Sequence, residues 1–232
     1  MTLTKYFKTE QKLILKPLTE DATEQNIEHL TTYLTDARGD HCDLRLPYGE
    51  SLAEQFPFAD QMPVELMGDA LGMGVRVLGE FDRYLDSNSI RIKIKPDLEM
   101  FQRRLYPRQD HTVGIRYTKG RGTLRSYRSQ WKKNIELLEK TIDLSKLRNF
   151  PRNQVNISSS GIRIPVKPPI TEADLCLILI ELEEETPPVC ALAEVVWIGS
   201  REESDELIAG MQFINIRKSD QKRIDAFLKQ KV

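Results

Sequence analysis

Ile90, Ile92 and Ile94 alternate with Arg91, Lys93 and Lys95, and a period of two between apolar and charged side chains fits a strand with one face buried and the other in water. An all-helical chain is excluded by that stretch alone. Around it, CDLRLPYG, MPVELMGD and MGVRVLGEF are short segments punctuated by Gly and Pro, as hairpins are. The glycines read as turn formers, not ligand contacts. Upstream, a short apolar run covers residues 13–15. The polar residues 19–23 that follow, with Ile27, Leu30 and Leu34 at helical spacing, predict a short amphipathic helix near 20–36. Residues 1–98 are expected to form a small β-domain with one helix.

The second half, residues 99–232, changes period twice. HTVGIRYTKG reads as a strand, after which Trp131, Ile135, Leu138 and Ile142, and more loosely Leu144 and Leu147, share one side of a helix spanning about 124–147. VNISSSGIRIPV, LCLILIEL, CALAEVVWIG and GMQFINI then return to strand patterns. The tail SDQKRIDAFLKQ is helical, with Ser219 as N-cap and Ile224, Phe227 and Leu228 as its apolar stripe. The expected fold class is therefore mainly β with added helices: a β-barrel or sandwich with a helical insertion near 124–150 and a C-terminal helix, preceded by a smaller β-domain.

A chain of 232 residues suits two such cores. Its 34 Lys and Arg balance 35 Asp and Glu to a net charge of -1, which gives no general pull toward DNA, RNA or an anionic membrane. Any anion site must be local. No apolar run reaches the length of a membrane span and the first residues carry no secretory signal pattern, so a cytosolic protein is expected. Cys42, Cys176 and Cys190 are widely spaced and odd in number, which suits buried hydrophobes better than a disulfide frame or a metal site. His29, His41 and His111 fall in no HExxH or HxH pattern, and the serines at 158–160 lack a GxSxG elbow. No catalytic residues are assigned, and no cofactor or metal is expected.

Two short motifs carry residue types suited to a compact, doubly charged ligand. In the first, Arg103 precedes Arg104-Leu105-Tyr106-Pro107-Arg108. A guanidinium can grip a phosphate through two donors and stack on a purine, and Pro107 stiffens the segment. In the second, Asn156-Ile157-Ser158-Ser159-Ser160-Gly161, Asn156 and Ser158 are two apart on a strand, and Gly161 permits a turn or a close backbone approach. Each motif alone is common in ordinary solvated faces and turns. Their order in a β-rich chain is more specific.

Together RLYPR and NISSSG resemble the RxxxR and (D/N)xSxxG signature of the PilZ family of cyclic di-GMP receptors. The resemblance continues through GIRIPV, ALAEVVWIG and GMQFINIRKSDQKRIDAFL. It implies a six-stranded antiparallel barrel with a C-terminal helix, and a binding module in place of an enzyme. The ligand would be clamped by Arg104 and Arg108 with help from Arg103, against Asn156, Ser158 and Gly161. Binding would rearrange the two domains and signal to a protein effector in motility, biofilm or surface attachment. The N-terminal half is similar to the accessory barrel of flagellar-brake-like proteins.

The stretch between Arg108 and Asn156 is longer than the family usually has, and the excess is the helix. It reads as a decoration that leaves the site intact. The other reading is a degenerate scaffold that acts through protein contacts or homo-oligomerises through this helix without binding nucleotide. A second RxxxR, Arg148 to Arg152, lies too close to Asn156 for a strand between them and reads as a basic helix exit. Arg148, Arg152 and Arg163 are additional candidates for the same pocket.

Overall fold

A computed structural model describes residues 3–18, 26–48, 51, 53, 56–102, 108–119, 122–140, 150–183, 186–201 and 204–230. The chain divides into two compact units, residues 1–23 with 28–105, and residues 24–27 with 106–232.

In the first unit, β1 (Lys12–Pro17), β3 (Leu30–Arg38), β4 (His41–Arg45), β5 (Pro63–Ala70), β6 (Met73–Tyr84) and β7 (Ser89–Phe101) close into a barrel of order β1-β3-β4-β7-β6-β5. Ile90, Ile92 and Ile94 point into its core as their alternation requires. On the outer side Arg91 reaches across to Asp43 on β4 with bonds of 2.7 and 2.8 Å. Pro96 lies inside β7 where the register against β6 slips, Val77 facing Leu98 but Gly79 facing Ile94. A residue without an N–H is tolerated at such a bulge. Leu71 (φ 54) and Gly72 (φ 80) form the two-residue turn between β5 and β6, a turn that requires positive φ at both positions.

Among the described residues of the stretch 20–36 there is no helix. Residues 19–25 lie outside the described residues, residues 26–28 form β2 (Asn26–Glu28), and β3 follows. Leu30 and Leu34 satisfy a strand as well as a helix, because an offset of four is also two strand repeats. The residue between them on the same face is Thr32, which is fully buried and hides its hydroxyl by donating to the carbonyl of Leu13 at 3.3 Å. That polar residue broke the apolar alternation. The β-branched and aromatic run Thr31, Thr32, Tyr33 favours the extended form.

In the second unit, β8 (Gln109–Lys119), β9 (Arg152–Ser158), β10 (Gly161–Val166), β11 (Leu175–Glu181), β12 (Val189–Arg201) and β13 (Ser204–Arg217) form a sheet of order β10-β9-β8-β11-β12-β13. It closes through antiparallel pairing of β10 with β13, and β2 extends it beyond β13. Val113, Ile115, Val155, Ile157, Ile178 and Phe213 are among the side chains filling this barrel.

Helix α1 (Leu124–Lys140) leaves β8 and lies against β11 and β12. Residues 141–149, with Ile142, Leu144 and Leu147 of the expected stripe, fall outside the described residues. Leu124, Tyr127, Trp131 and Leu138 are buried, and the Trp131 indole N–H donates to the Cys190 carbonyl at 3.0 Å. Trp131 and Leu138, two members of the expected apolar stripe, are therefore taken up by the chain's own barrel. Leu137 points to solvent, 62% exposed.

Helix α2 (Lys218–Gln230) packs Ile224, Phe227 and Leu228 into the barrel core. It begins one residue before Ser219, so Ser219 lies in the first turn and is not the N-cap. Asp220 anchors that turn. Fully buried, its carboxylate accepts from Arg217 at 2.9 Å and Arg223 at 2.9 Å, and Arg217 also reaches Glu139 of α1 at 3.0 Å. A buried carboxylate is retained only when its charge is matched this way.

Cys42, Cys176 and Cys190 are buried free thiols, and burial pushes each up to about 12. Among the described residues no helix is long and apolar enough to cross a membrane.

Candidate functional site

The NISSSG motif is the hairpin that joins β9 to β10. Val155 and Ile157 point into the core, so Asn156 between them points outward. In register, Asn156 faces Asp110 of β8 on one side and Arg163 of β10 on the other. Its amide Nδ2 donates to Asp110 Oδ1 at 2.9 Å, and an Arg163 guanidinium nitrogen lies 3.5 Å from the same oxygen. The row continues, because Arg163 faces Gly210 of β13 and Gly210 faces Trp197 of β12. The Trp197 indole lies across the open backbone of Gly210, where a β-carbon would collide with its Nε1. Trp197 is 39% exposed. Five neighbouring strands thus present, at one level of the barrel wall, a carboxylate, an amide, a guanidinium, a bare backbone and an indole.

Ser158 and Gly161 serve a different purpose in this geometry. Ser158 is fully buried, and its hydroxyl lies 3.3 Å from that of Ser160 and donates to the Gly161 carbonyl at 3.4 Å, bracing the turn. Gly161 lets β10 close on β13, since a β-carbon there would sit 2.5 Å from the Met211 carbonyl oxygen. The turn's third serine, Ser159, is buried with no hydrogen-bond partner for its hydroxyl.

Arg108 is exposed and immediately precedes β8, whose first residue, Gln109, faces Ile157. The end of β8 therefore delivers Arg108 beside the NISSSG hairpin. Arg103 and Arg104 lie outside the described residues, as does Arg148. Arg152 opens β9 opposite Gly114, on the outward face it shares with Asn156 but four residues away, about 13 Å along an extended strand. Phe150, just before β9, covers Gly114 and carries the Arg116 guanidinium 5.1 Å above its ring. The structure therefore brings Asn156 and Arg163 together and sets Arg152 apart.

Asp110 and Trp197 were not singled out from the sequence. Asp110 is an ordinary acidic residue at a strand start, and only the register puts it against Asn156. For Trp197 a period of two misleads, since Val195 two residues earlier lies in the core and the register shift between Val195 and Trp197 turns the indole outward.

A closed six-stranded antiparallel barrel with a C-terminal helix, bearing the NISSSG hairpin on its wall, defines the class of β-barrel domain that the second unit forms. The description of the PilZ domain matches residues 102–230, more than half of the chain, and the chain belongs to the PilZ family. Among solved structures it is similar to the inhibitor of motility MotI/DgrA of Bacillus subtilis, with 13% identity over 97% of each chain and a TM-score of 0.39. It is similar to YcgR of Escherichia coli in complex with c-di-GMP, with 13% identity over 95% of this chain and 83% of that one and a TM-score of 0.36. A third is the MrkH-c-di-GMP complex of K. pneumonia, with 12% identity over 95% of this chain and 86% of that one and a TM-score of 0.33. No curated protein matches the chain.

Proposed function

We propose that this protein is a cytoplasmic receptor for cyclic di-GMP, a binding module without catalytic activity. Ligand binding changes the arrangement of its two units and signals to a protein effector in motility, biofilm or surface attachment. The observation that carries the reading is the register that sets Asn156 and Arg163 side by side on the outer wall, next to the strand end that bears Arg108. Membership of the PilZ family supports cyclic di-GMP as the ligand.

The chemistry supports that assignment. Two phosphodiesters need guanidinium donors, which Arg108 and Arg163 supply on the barrel and Arg103 and Arg104 supply from the adjoining segment. Purine faces need flat partners, and the partly exposed ring of Trp197 offers one across β13 from Arg163. The chain's near-zero net charge makes this local cluster, and not a general field, the source of anion affinity.

The test is isothermal titration of the purified protein with cyclic di-GMP. A dissociation constant near micromolar is expected, equivalent to about 8 kcal/mol. Arg104→Ala and Arg108→Ala should each abolish the heat. A wild type that gives no heat overturns the receptor reading in favour of a scaffold acting through protein contacts. Loss confined to Arg148→Ala and Arg152→Ala would move the site to the second arginine pair.

A further inference from the structure

Helix α1 carries charge that does nothing for its own fold. Between Asp110 and Glu136 the chain has seven arginines and lysines and not one acidic residue, in a protein whose net charge is -1. Arg116 lies over the Phe150 ring and Lys119 pairs with Asp174, so these two are spent within the second unit. Arg125, Lys132 and Lys133 are different: all three are exposed, and none forms an ion pair among the described residues. At about 3.6 residues per turn they fall on the side of α1 opposite Tyr127, Trp131 and Leu138, which are buried against the barrel. The first turn holds Arg125 and no acidic residue, although a helix N-terminus favours negative charge and repels positive. Arg128, three residues after Arg125 and four before Lys132, adds like-charge neighbours along the helix. Residue choices that weaken an element locally persist where its surface serves something else.

One turn beyond Lys133 stands Leu137, 62% exposed. The helix beneath it is a fixed platform, since the Trp131 indole is bonded to the Cys190 carbonyl and Glu139 is held by Arg217. We infer that this outward face of α1 is a docking surface for an acidic, amphipathic segment of a protein partner, with Leu137 as the apolar anchor and Arg125, Lys132 and Lys133 as the charged rim. The inference rests on the receptor reading above for its purpose, which is to supply the surface that meets the effector. A nucleic-acid backbone fits this face less well. Leu137 would find nothing apolar among phosphates, and Glu136, beside Lys132 and Lys133 on the helix, would be set against them. A second copy also fits less well, because α1 holds five basic residues against two acidic ones, and α1 against α1 would bring like charges together. An apolar centre inside a charged rim is how protein interfaces are built, and the rim sets the rate and salt dependence of docking.

The test pans a displayed library of random peptides against the whole protein and measures the best binders by fluorescence anisotropy. The same peptides are then measured on Leu137→Ala and on the double reversal Lys132→Glu with Lys133→Glu. A thermal melt and a titration with cyclic di-GMP should match wild type for both variants, because these side chains are exposed and lie outside the proposed nucleotide site. The selected peptides should be net acidic and carry at least one aliphatic or aromatic residue. Leu137→Ala should weaken them by about fivefold or more. The double reversal, or a rise in salt from about 50 to about 300 mM, should weaken them by about tenfold or more. Selected peptides no more acidic than the input library, or peptides that bind all three proteins equally, overturn the inference. A labelled DNA duplex that binds wild type more tightly than the peptides, and is lost with the double reversal, overturns it in favour of nucleic acid. A wild-type dimer in sedimentation that Leu137→Ala dissociates overturns it in favour of a second copy. Heat with cyclic di-GMP but no peptide selected overturns this inference alone. Peptides selected without any heat overturn the receptor reading and leave the docking surface in place.

Discussion

Gly161→Ala should damage the barrel more than it damages any ligand contact. Gly161 pairs with Ser158 on one side and with Gln212 on the other, at the point where β10 closes the ring onto β13. The added methyl carbon would sit 2.5 Å from the Met211 carbonyl oxygen, where a carbon and an oxygen ordinarily keep about 3.3 Å. The obstacle is backbone on a paired strand, so it cannot rotate away. Relief requires the two strands to part beside the 2.9 Å bond from Phe213 N–H to the Ser160 carbonyl. Overpacking of this kind costs roughly 1–3 kcal/mol, and a weakened ladder bond adds about 1 kcal/mol. A loss of about 2–4 kcal/mol follows, enough to lower the melting temperature of this unit by about 6–15 °C. Both tryptophans, Trp131 and Trp197, lie in the second unit, so intrinsic fluorescence during urea unfolding reports that barrel separately from the first. A midpoint within about 0.2 M of wild type, at unchanged slope, would refute the close-approach argument.

Trp131→Phe removes the bond to Cys190 and should destabilise the second unit by about 1–2 kcal/mol, whereas Trp131→Ala, which empties the contact between α1 and the barrel, should cost about 3–5 kcal/mol; equal small effects in denaturant melts would show that α1 is not packed there. In the first unit, the side-chain bond from Arg91, with its charge, holds the Asp43 carboxyl below its usual range against the opposing pull of burial. A depressed folded-state value means stability that is present above the unfolded pKa, near 3.9, and lost as pH falls through the lower folded value. Asp43→Asn should therefore cost about 1 kcal/mol at pH 7, and the gap from wild type should close below about pH 4 in pH-resolved urea melts.

What could be read from the sequence followed from how each residue spends its side chain. The period of two in SIRIKIKP survives because every outward residue is charged and every inward one is isoleucine, so both barrels announce their strands. It failed at β3, where Thr32 faces the core as a polar residue and Leu30 and Leu34 suit either period. The helical insertion was legible from Trp131 and Leu138, although its partner was not, since nothing local says that the Cys190 carbonyl receives the indole. At the proposed site, NISSSG is the hairpin that joins β9 to β10, and Arg108 of RLYPR immediately precedes β8. The division of labour within NISSSG depends on contacts distant in sequence. Gly161 answers to Met211, Asn156 to Asp110, and Trp197 to Gly210, and each of these pairs exists only once the barrel is closed.

Whether the outer wall of β8, β9 and β10 receives cyclic di-GMP can be read by nuclear magnetic resonance with an internal control. The two indole N–H groups give separate signals: Trp131's is buried in its bond to Cys190, and Trp197's ring lies partly exposed in the row with Arg163 and Asn156. On adding cyclic di-GMP to labelled protein, the Trp197 indole and the Asn156 side-chain amide should shift while the Trp131 indole stays in place. A spectrum in which neither Trp197 nor Asn156 moves at saturating ligand would place the ligand elsewhere than on this wall.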